Sequence, residues 1–326
     1  MDKQAYLNFE IFSMVAVTAI LLIDVLLIFK RPHIPSAKES TLWVVFYAGL
    51  ALLFALILGM YFGVAKSTEF VAGWLTEYSL SLDNLFVFVI IMSRFKVPKK
   101  LQQEVLMVGI VMALILRGIF ILLGAALIEN FSWIFYIFGA FLLYTAYHQA
   151  FRGHDDEEES ESKLIQLLRK RIHMVDEYHG VKLRAVADGR KAFTPILTVF
   201  LAIAITDVMF AFDSIPAIFG ITTDAFIVFT ANVFALMGLR QLYFLLGGLL
   251  DRLEYLKYGI AFILGFIGFK LVSHALHVNE LPFINNGHHI DWAPEISTNA
   301  SLGVIVLSIA VSAGASLVKA RRNNGK

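Results

Sequence analysis

The feature that most constrains this chain is a series of nine long apolar stretches, each about as long as a bilayer-spanning helix. About 20 apolar residues cross the hydrocarbon core of a bilayer as an α-helix. The chain is 58% hydrophobic and 16% charged, whereas soluble domains carry about 25% charged residues. The sequence therefore predicts an all-α, polytopic transmembrane bundle in contact with a lipid bilayer. The predicted spans are residues 9–29, 41–63, 69–93, 103–128, 131–150, 193–218, 224–250, 256–276 and 298–318.

Basic residues are concentrated in every second loop between the predicted spans. One set of loops contains Lys30 and Arg31, Arg94 to Lys100, the long 151–192 segment and the tail after Lys319, while the opposite set is mainly acidic or neutral. Because basic loops stay in the cytoplasm, we predict a multi-pass protein of the bacterial inner membrane with an external N-terminus and a cytoplasmic C-terminus. The first apolar run is too long for a signal-peptide core and lacks a basic leader.

Composition also excludes several classes of function. The chain has no cysteine and a net charge of +1, so a thiolate metal site is impossible and nothing indicates a nucleic-acid partner. A Walker motif is missing, which rules out ATP as the direct energy source. No nucleophile–base pair or cofactor motif stands out, so we expect neither an enzyme nor a prosthetic group.

The 151–192 segment has two parts. An acidic run follows His154, and apolar residues from Leu164 to Val175 then recur at helical spacing beside Arg169 to Arg171. This pattern predicts a cytoplasmic amphipathic helix, on the membrane or under the bundle, and a candidate surface for a protein partner.

Two groups of three spans look like copies of each other. Residues 77–84 (EYSLSLDN) match residues 207–214 (DVMFAFDS), and a mid-span arginine follows in each copy, Arg117 and Arg240. Because three spans is an odd number, the second copy must cross the membrane in the opposite sense, which is the plan of many secondary transporters. The predicted units are 1–68, the first repeat 69–150, the loop 151–192, the inverted repeat 193–278, and the last loop, span and tail 279–326.

The two matching motifs place four acidic residues well inside predicted spans. A carboxylate in hydrocarbon costs several kcal/mol, so such residues usually have a function. Mg²⁺, Mn²⁺ and Ca²⁺ prefer carboxylate and other oxygen ligands, and hydroxyl and amide side chains accompany both acidic pairs. The alternative is that the acids only pair with the two arginines. The candidate metal ligands are Glu77, Asp83, Asn84, Asp207, Asp213 and Ser214, with Ser81 and Thr206 as further oxygen donors.

The spacing of the acids sets a condition on this site. Two residues six apart on an ideal helix lie about 120° from each other. We therefore expect a kink or an unwound turn, and Pro216 favours a break near Asp213. Carbonyl groups freed by such a break would add ligands.

The two acidic motifs, EYSLSLDN at 77–84 and TDVMFAFDSIPA at 206–217, closely resemble the signature stretches of the TerC family, in particular its Alx-like members. The resemblance covers nearly the whole chain. It implies a transporter fold like that of the LysE superfamily and a role in metal-ion homeostasis, with manganese export as the associated activity. The acidic positions of the family fall on Glu77, Asp83, Asp207 and Asp213.

Energetics then constrain the mechanism. Moving a divalent cation out of a negative interior costs about 4.6 kcal/mol per 100 mV, so a passive exporter would run backwards and proton antiport is the simplest remedy. The expected function is Mn²⁺ export in exchange for protons. Two alternatives stay open: a Ca²⁺/H⁺ exchanger, and an accessory protein that supplies metal to secreted or membrane enzymes.

Overall fold

The structure is a computed structural model, and it describes residues 3–30, 35–151, 178, 180–187, 190–246, 255–290 and 292–324. Ten α-helices and one β-hairpin form this described part. The elements in chain order are α1 (Lys3–Lys30), α2 (Ala37–Phe62), α3 (Val64–Arg94), α4 (Lys99–Asn130), α5 (Ile134–Phe151), β1 (Arg184–Ala187), β2 (Arg190–Phe193), α6 (Pro195–Phe219), α7 (Ala225–Leu236), α8 (Leu239–Leu246), α9 (Leu256–His277) and α10 (Thr298–Asn324).

Within the described ranges, eight helical stretches are long and apolar enough to cross a membrane. One of them, Ala225–Leu245, includes α7 and most of α8. The remaining predicted span coincides with α5, an 18-residue helix that is not among these eight. The predicted all-α membrane bundle is therefore confirmed, and the hydrophobic pattern placed each span within a few residues.

The seventh predicted span, 224–250, contains two helices rather than one unbroken helix. Helix α7 ends at Leu236, Met237 is extended, and Gly238 has a φ of +85° before α8 begins at Leu239. A side chain at Gly238 would be strained at this φ, so glycine permits the break. Residues 247–250 of that span lie outside the described part.

The 151–192 loop adds a small element that the sequence pattern did not predict. Strands β1 and β2 pair antiparallel, with Arg184 opposite Phe193, and Tyr178 donates a hydrogen bond to the carbonyl of Phe95 at 2.6 Å. The predicted acidic run and the whole of the predicted amphipathic helix fall on residues 152–177, outside the described residues.

Helix directions follow from contacts along their lengths. The N-terminal half of α3 meets the C-terminal end of α6, where a Cβ on Gly73 would lie 3.2 Å from Ile218, and Phe88 in its C-terminal half lies beside Gly109 of α4. Helix α4 runs parallel to α6, with Gly109 near Ile203 and Gly124 near Phe219. Thus α3 and α6 cross in opposite senses, as an inverted repeat requires.

Packing between the two groups of helices is also reciprocal. Helix α3 packs on α7 as α6 packs on α4, while α5 packs on α9. The α5–α9 contact is very close: a Cβ on Gly268 would lie 2.9 Å from the carbonyl oxygen of Gly139. Small residues allow such close approach between membrane helices. That the two groups of three spans are structural copies of each other stays a prediction.

Candidate functional site

The site is centred on Glu77, near the middle of α3 and fully buried. Its carboxylate accepts a hydrogen bond from Nη1 of Arg117 on α4, and the two side chains form a buried salt bridge. The same nitrogen donates to Oδ1 of Asn232 on α7 at 2.6 Å. One guanidinium therefore joins three helices at the centre of the bundle.

The salt bridge confirms one part of the sequence interpretation: Arg117 does hold an acidic residue of the first motif. Asn232 is the residue that sequence reasoning missed. It is buried, with 2% of its surface exposed, in a helix that is otherwise almost entirely apolar or small. An amide in such a run, next to a carboxylate site, was the available signal, because a buried polar side chain must find partners.

Asp207 lies at the middle of α6 and is 4% exposed. It lies within electrostatic range of Arg117. Oxygen Oδ2 of Asp207 is buried and has no hydrogen-bond partner among the described residues. The arginine that already binds Glu77 is therefore also the neighbouring positive charge for Asp207.

Oxygen Oδ2 of Asp207 is one of four such side-chain oxygens in the two acidic motifs. They are buried and unpartnered within the described part of the chain: Oε1 of Glu77, Oγ of Ser81, Oδ2 of Asp207 and Oγ of Ser214. Ser81 follows Glu77 by four residues and Ser214 follows Asp207 by seven, so each pair lies on one face of its helix. Helices α3 and α6 pack against each other.

Such oxygens carry an energetic cost. Each buried polar atom left unpaired costs about 1–3 kcal/mol, and native structures contain few of them. Both of these contacting helices therefore carry buried oxygens without a partner in the described part of the chain, which makes their contact the candidate ion site. Two carboxylate and two hydroxyl oxygens suit a hard cation.

The other predicted ligands are placed less centrally or are not described in full. Asp213 is partly exposed and Asn84 is buried, and both make interactions within the protein. Asp83 lies in α3, but its side chain is outside the described part. Among the described side chains, no group of three or more His, Asp or Glu residues could hold a metal ion. The convergence of four carboxylates thus stays a prediction.

The expected break near Asp213 was wrong. Helix α6 continues through Pro216 to Phe219. Because α6 is one continuous helix at these positions, Asp207 and Asp213 lie about 120° apart around its axis, which agrees with one being buried and the other partly exposed. The backbone interruption lies instead at Gly238, between α7 and α8.

Arg240 has a different setting from Arg117. It lies at the start of α8, buried, and within electrostatic range of Asp24, Tyr47 and Glu39. Asp24 interacts with the Tyr47 side chain. The second arginine therefore connects α8 to the N-terminal two-span unit, a partnership that the repeat pattern did not predict.

A polar cluster at the start of α3 joins this helix to the loop before α7. Lys66 Nζ lies 2.7 Å from Oδ2 of Asp224 and 3.3 Å from Oε2 of Glu69. The Thr222 hydroxyl donates to Glu69 at 2.7 Å. In the predicted orientation this cluster lies on the outer side of the membrane.

Comparison with known proteins agrees with the sequence resemblance. Residues 62–324 match the model of the "Integral membrane protein TerC family". The chain is 43% identical over 313 residues to "Uncharacterized membrane protein Rv2723" of Mycobacterium tuberculosis, covering 95% of this chain and 79% of the relative. It is 38% identical over 308 residues to "Putative membrane-bound redox modulator Alx" of Escherichia coli, covering 92% of each. No solved structure matches the chain.

Proposed function

Because the chain belongs to the TerC family of integral membrane proteins, and because its core holds a set of buried oxygen ligands, we propose that it exports Mn²⁺ in exchange for protons. The observation that carries this proposal is the set of four unpartnered oxygens on α3 and α6. A cation bound between the two helices would supply the partner that the buried carboxylate oxygens lack.

Each residue of the site has a distinct role in this proposal. Glu77 and Asp207 bind the ion directly, with Ser81 and Ser214 as neutral ligands and Asp83, Asn84 and Asp213 completing the site. Arg117 holds Glu77 in place and limits repulsion between the carboxylates when the ion has left. Protons then compete with the ion for the same carboxylate oxygens.

The membrane potential opposes export of a cation, so export must be coupled to the entry of protons. Export of a divalent cation against an inside-negative potential costs about 4.6 kcal/mol per 100 mV, and the entry of two protons returns the same amount. Two protons in for one Mn²⁺ out moves no net charge, so the pH gradient drives the exchange. The opposite crossing of α3 and α6 suits an alternating-access cycle around a fixed central site.

The name of the Escherichia coli relative suggests a redox role for that protein. The present chain has no cysteine, so it cannot carry out thiol–disulfide exchange with its own side chains. A metal carrier needs no such chemistry, which favours transport over a thiol-based redox activity.

The test is transport by the purified protein in liposomes with a pH gradient. We expect Mn²⁺ movement that stops when the gradient is collapsed. The Asp207→Asn and Glu77→Gln variants should lose it, while the control Glu129→Gln, an exposed carboxylate at the end of α4, should transport normally. Activity that survives both core substitutions would place the site elsewhere.

The same assay separates the alternatives. Ca²⁺ has the same preference for oxygen ligands, so exchange of Ca²⁺ in place of Mn²⁺ would identify a Ca²⁺/H⁺ exchanger. No transport of any divalent ion by well-folded protein would contradict the carrier and favour an accessory protein that acts with a partner.

A further inference from the structure

A second candidate binding site lies far from the central carboxylates, in a groove between α9 and α10. The groove has a volume of about 480 Å³, within the roughly 300–1,000 Å³ range of small-molecule sites. Its walls are almost entirely apolar. The lining residues are Tyr255, Tyr258, Gly259 and Phe262 on α9, and Val304, Leu307, Ser308, Val311, Ser312 and Ala315 on α10.

The two serine hydroxyls do not change this apolar character. The Ser308 hydroxyl donates to the carbonyl of Gly259 at 3.0 Å, and that of Ser312 donates to the carbonyl of Ile309 at 3.2 Å. Both hydroxyls are thus occupied by backbone groups. The groove is also open to the lipid side, since Phe262 and Leu307 are 61% and 66% exposed.

The length of the groove matches one leaflet of a membrane. On α10 its lining runs from Val304 to Ala315, which is about 16 Å at 1.5 Å per residue. Half of a hydrocarbon core about 30 Å thick is about 15 Å. One extended acyl chain therefore fits from the groove mouth to the bilayer centre.

Among the described residues, two tyrosines and two lysines lie at the mouth of the groove. Lys257 Nζ lies 5.1 Å from the ring centre of Tyr258, and Lys319 Nζ lies 5.2 Å from that of Tyr255. Tyrosines are typical of the headgroup level of a membrane, and lysines at that level attract anionic headgroups by about 1 kcal/mol each. Both lysines lie at the same end of the groove.

We propose that the α9–α10 groove binds one anionic glycerophospholipid, with an acyl chain against Phe262 and Val311 and the headgroup phosphate between Lys257 and Lys319. Three independent features support this ligand: the apolar wall, the one-leaflet length and the two cations at the mouth. The inference does not depend on the transported ion or on transport at all.

The experiment measures lipid binding to the purified protein by native mass spectrometry in detergent. Phosphatidylglycerol and phosphatidylcholine with identical acyl chains are compared. We expect one phosphatidylglycerol per chain, with a Kd at least tenfold lower than for phosphatidylcholine. The Lys257→Ala/Lys319→Ala double variant should lose about 30-fold in affinity for phosphatidylglycerol, equivalent to about 2 kcal/mol.

Two controls keep the test specific. The Lys99→Ala/Lys100→Ala variant removes two exposed lysines at the start of α4, outside the groove, and should bind the lipid like the parent protein. Ala315→Phe fills the groove mouth and should weaken binding of both lipids, whereas Val318→Phe, exposed on α10 outside the groove, should not.

Three results would overturn the proposal. Equal affinity for the two lipids would contradict a role of the two lysines in binding, and normal binding by Ala315→Phe would show that the lipid does not lie in the groove. A dimeric parent protein that Ala315→Phe converts to monomers would show that a second copy of the chain, and not a lipid, occupies the groove.

Discussion

The buried salt bridge between Arg117 and Glu77 should be the most stability-sensitive polar contact at the centre of the bundle. The two side chains are 4% and 0% exposed. Substitution of Arg117 by Met leaves the Glu77 carboxylate without its cation and removes the donor to Asn232. Breaking a buried ion pair by removing one partner costs about 3–5 kcal/mol, so we expect the free energy of unfolding to fall by that amount.

Removing both charges should be less harmful than removing one. The Glu77→Met/Arg117→Met double variant leaves no uncompensated charge, and apolar replacements of buried pairs are often close to neutral. We expect it to recover at least about 2 kcal/mol relative to Arg117→Met, although Asn232 still lacks its donor.

The measurement is equilibrium unfolding in mixed micelles with increasing SDS, followed by tryptophan fluorescence, since the chain has 4 tryptophans and Trp74 is buried in α3. Lys66→Met is the matched control. Its ion pair with Asp224 joins side chains that are 32% and 16% exposed, and partly exposed pairs contribute about 1 kcal/mol or less. A cost for Arg117→Met no greater than for Lys66→Met would refute the reasoning, as would a double variant no more stable than Arg117→Met.

Two further predictions concern packing and orientation. Gly268→Ala should lower the free energy of unfolding by about 1–3 kcal/mol, because the added Cβ would lie 2.9 Å from the Gly139 carbonyl oxygen. Gly303→Ala is the control and should change it little, since its Cβ would meet nothing within 4 Å; equal effects of the two variants in SDS unfolding would show that the α5–α9 contact is not tight. Because the chain has no cysteine, single substitutions at the exposed Phe283 and Lys99 report orientation directly: an impermeant thiol reagent should label Phe283→Cys in intact cells and Lys99→Cys only after permeabilisation, and the reverse pattern would invert the predicted topology.

The elements predicted well were those that depend on local composition. A stretch such as α2 or α10 is apolar enough to cross a membrane on its own, so its existence does not depend on what packs against it. The exception among the spans is instructive. The break at Gly238 was missed because the surrounding residues are uniformly apolar, and a glycine in a membrane helix can either pack closely or adopt a positive φ.

The central site was predicted only in part. Glu77 and Asp207 were identified because a carboxylate is costly in hydrocarbon wherever the helix lies, and the Glu77–Arg117 pair was anticipated as one of two readings. The setting of Arg240 beside Asp24 and Tyr47 was not, since the repeat pattern suggested that both arginines serve the acidic motifs. Asn232 was overlooked because one amide in an apolar helix has no partner visible in the sequence.

The amino-acid sequence by itself determined that this chain is a polytopic membrane protein with acidic residues inside its spans, because hydropathy and charge act over a single helix. The tertiary structure decided which of those residues meet. Arg117 contacts Glu77 and Asn232, which are 40 and 115 residues away in the chain, and Ser81 and Ser214 share the unpartnered state of the two carboxylates. Such contacts depend on how the helices cross, and helix crossing is set by side-chain packing between distant segments, which no local pattern encodes.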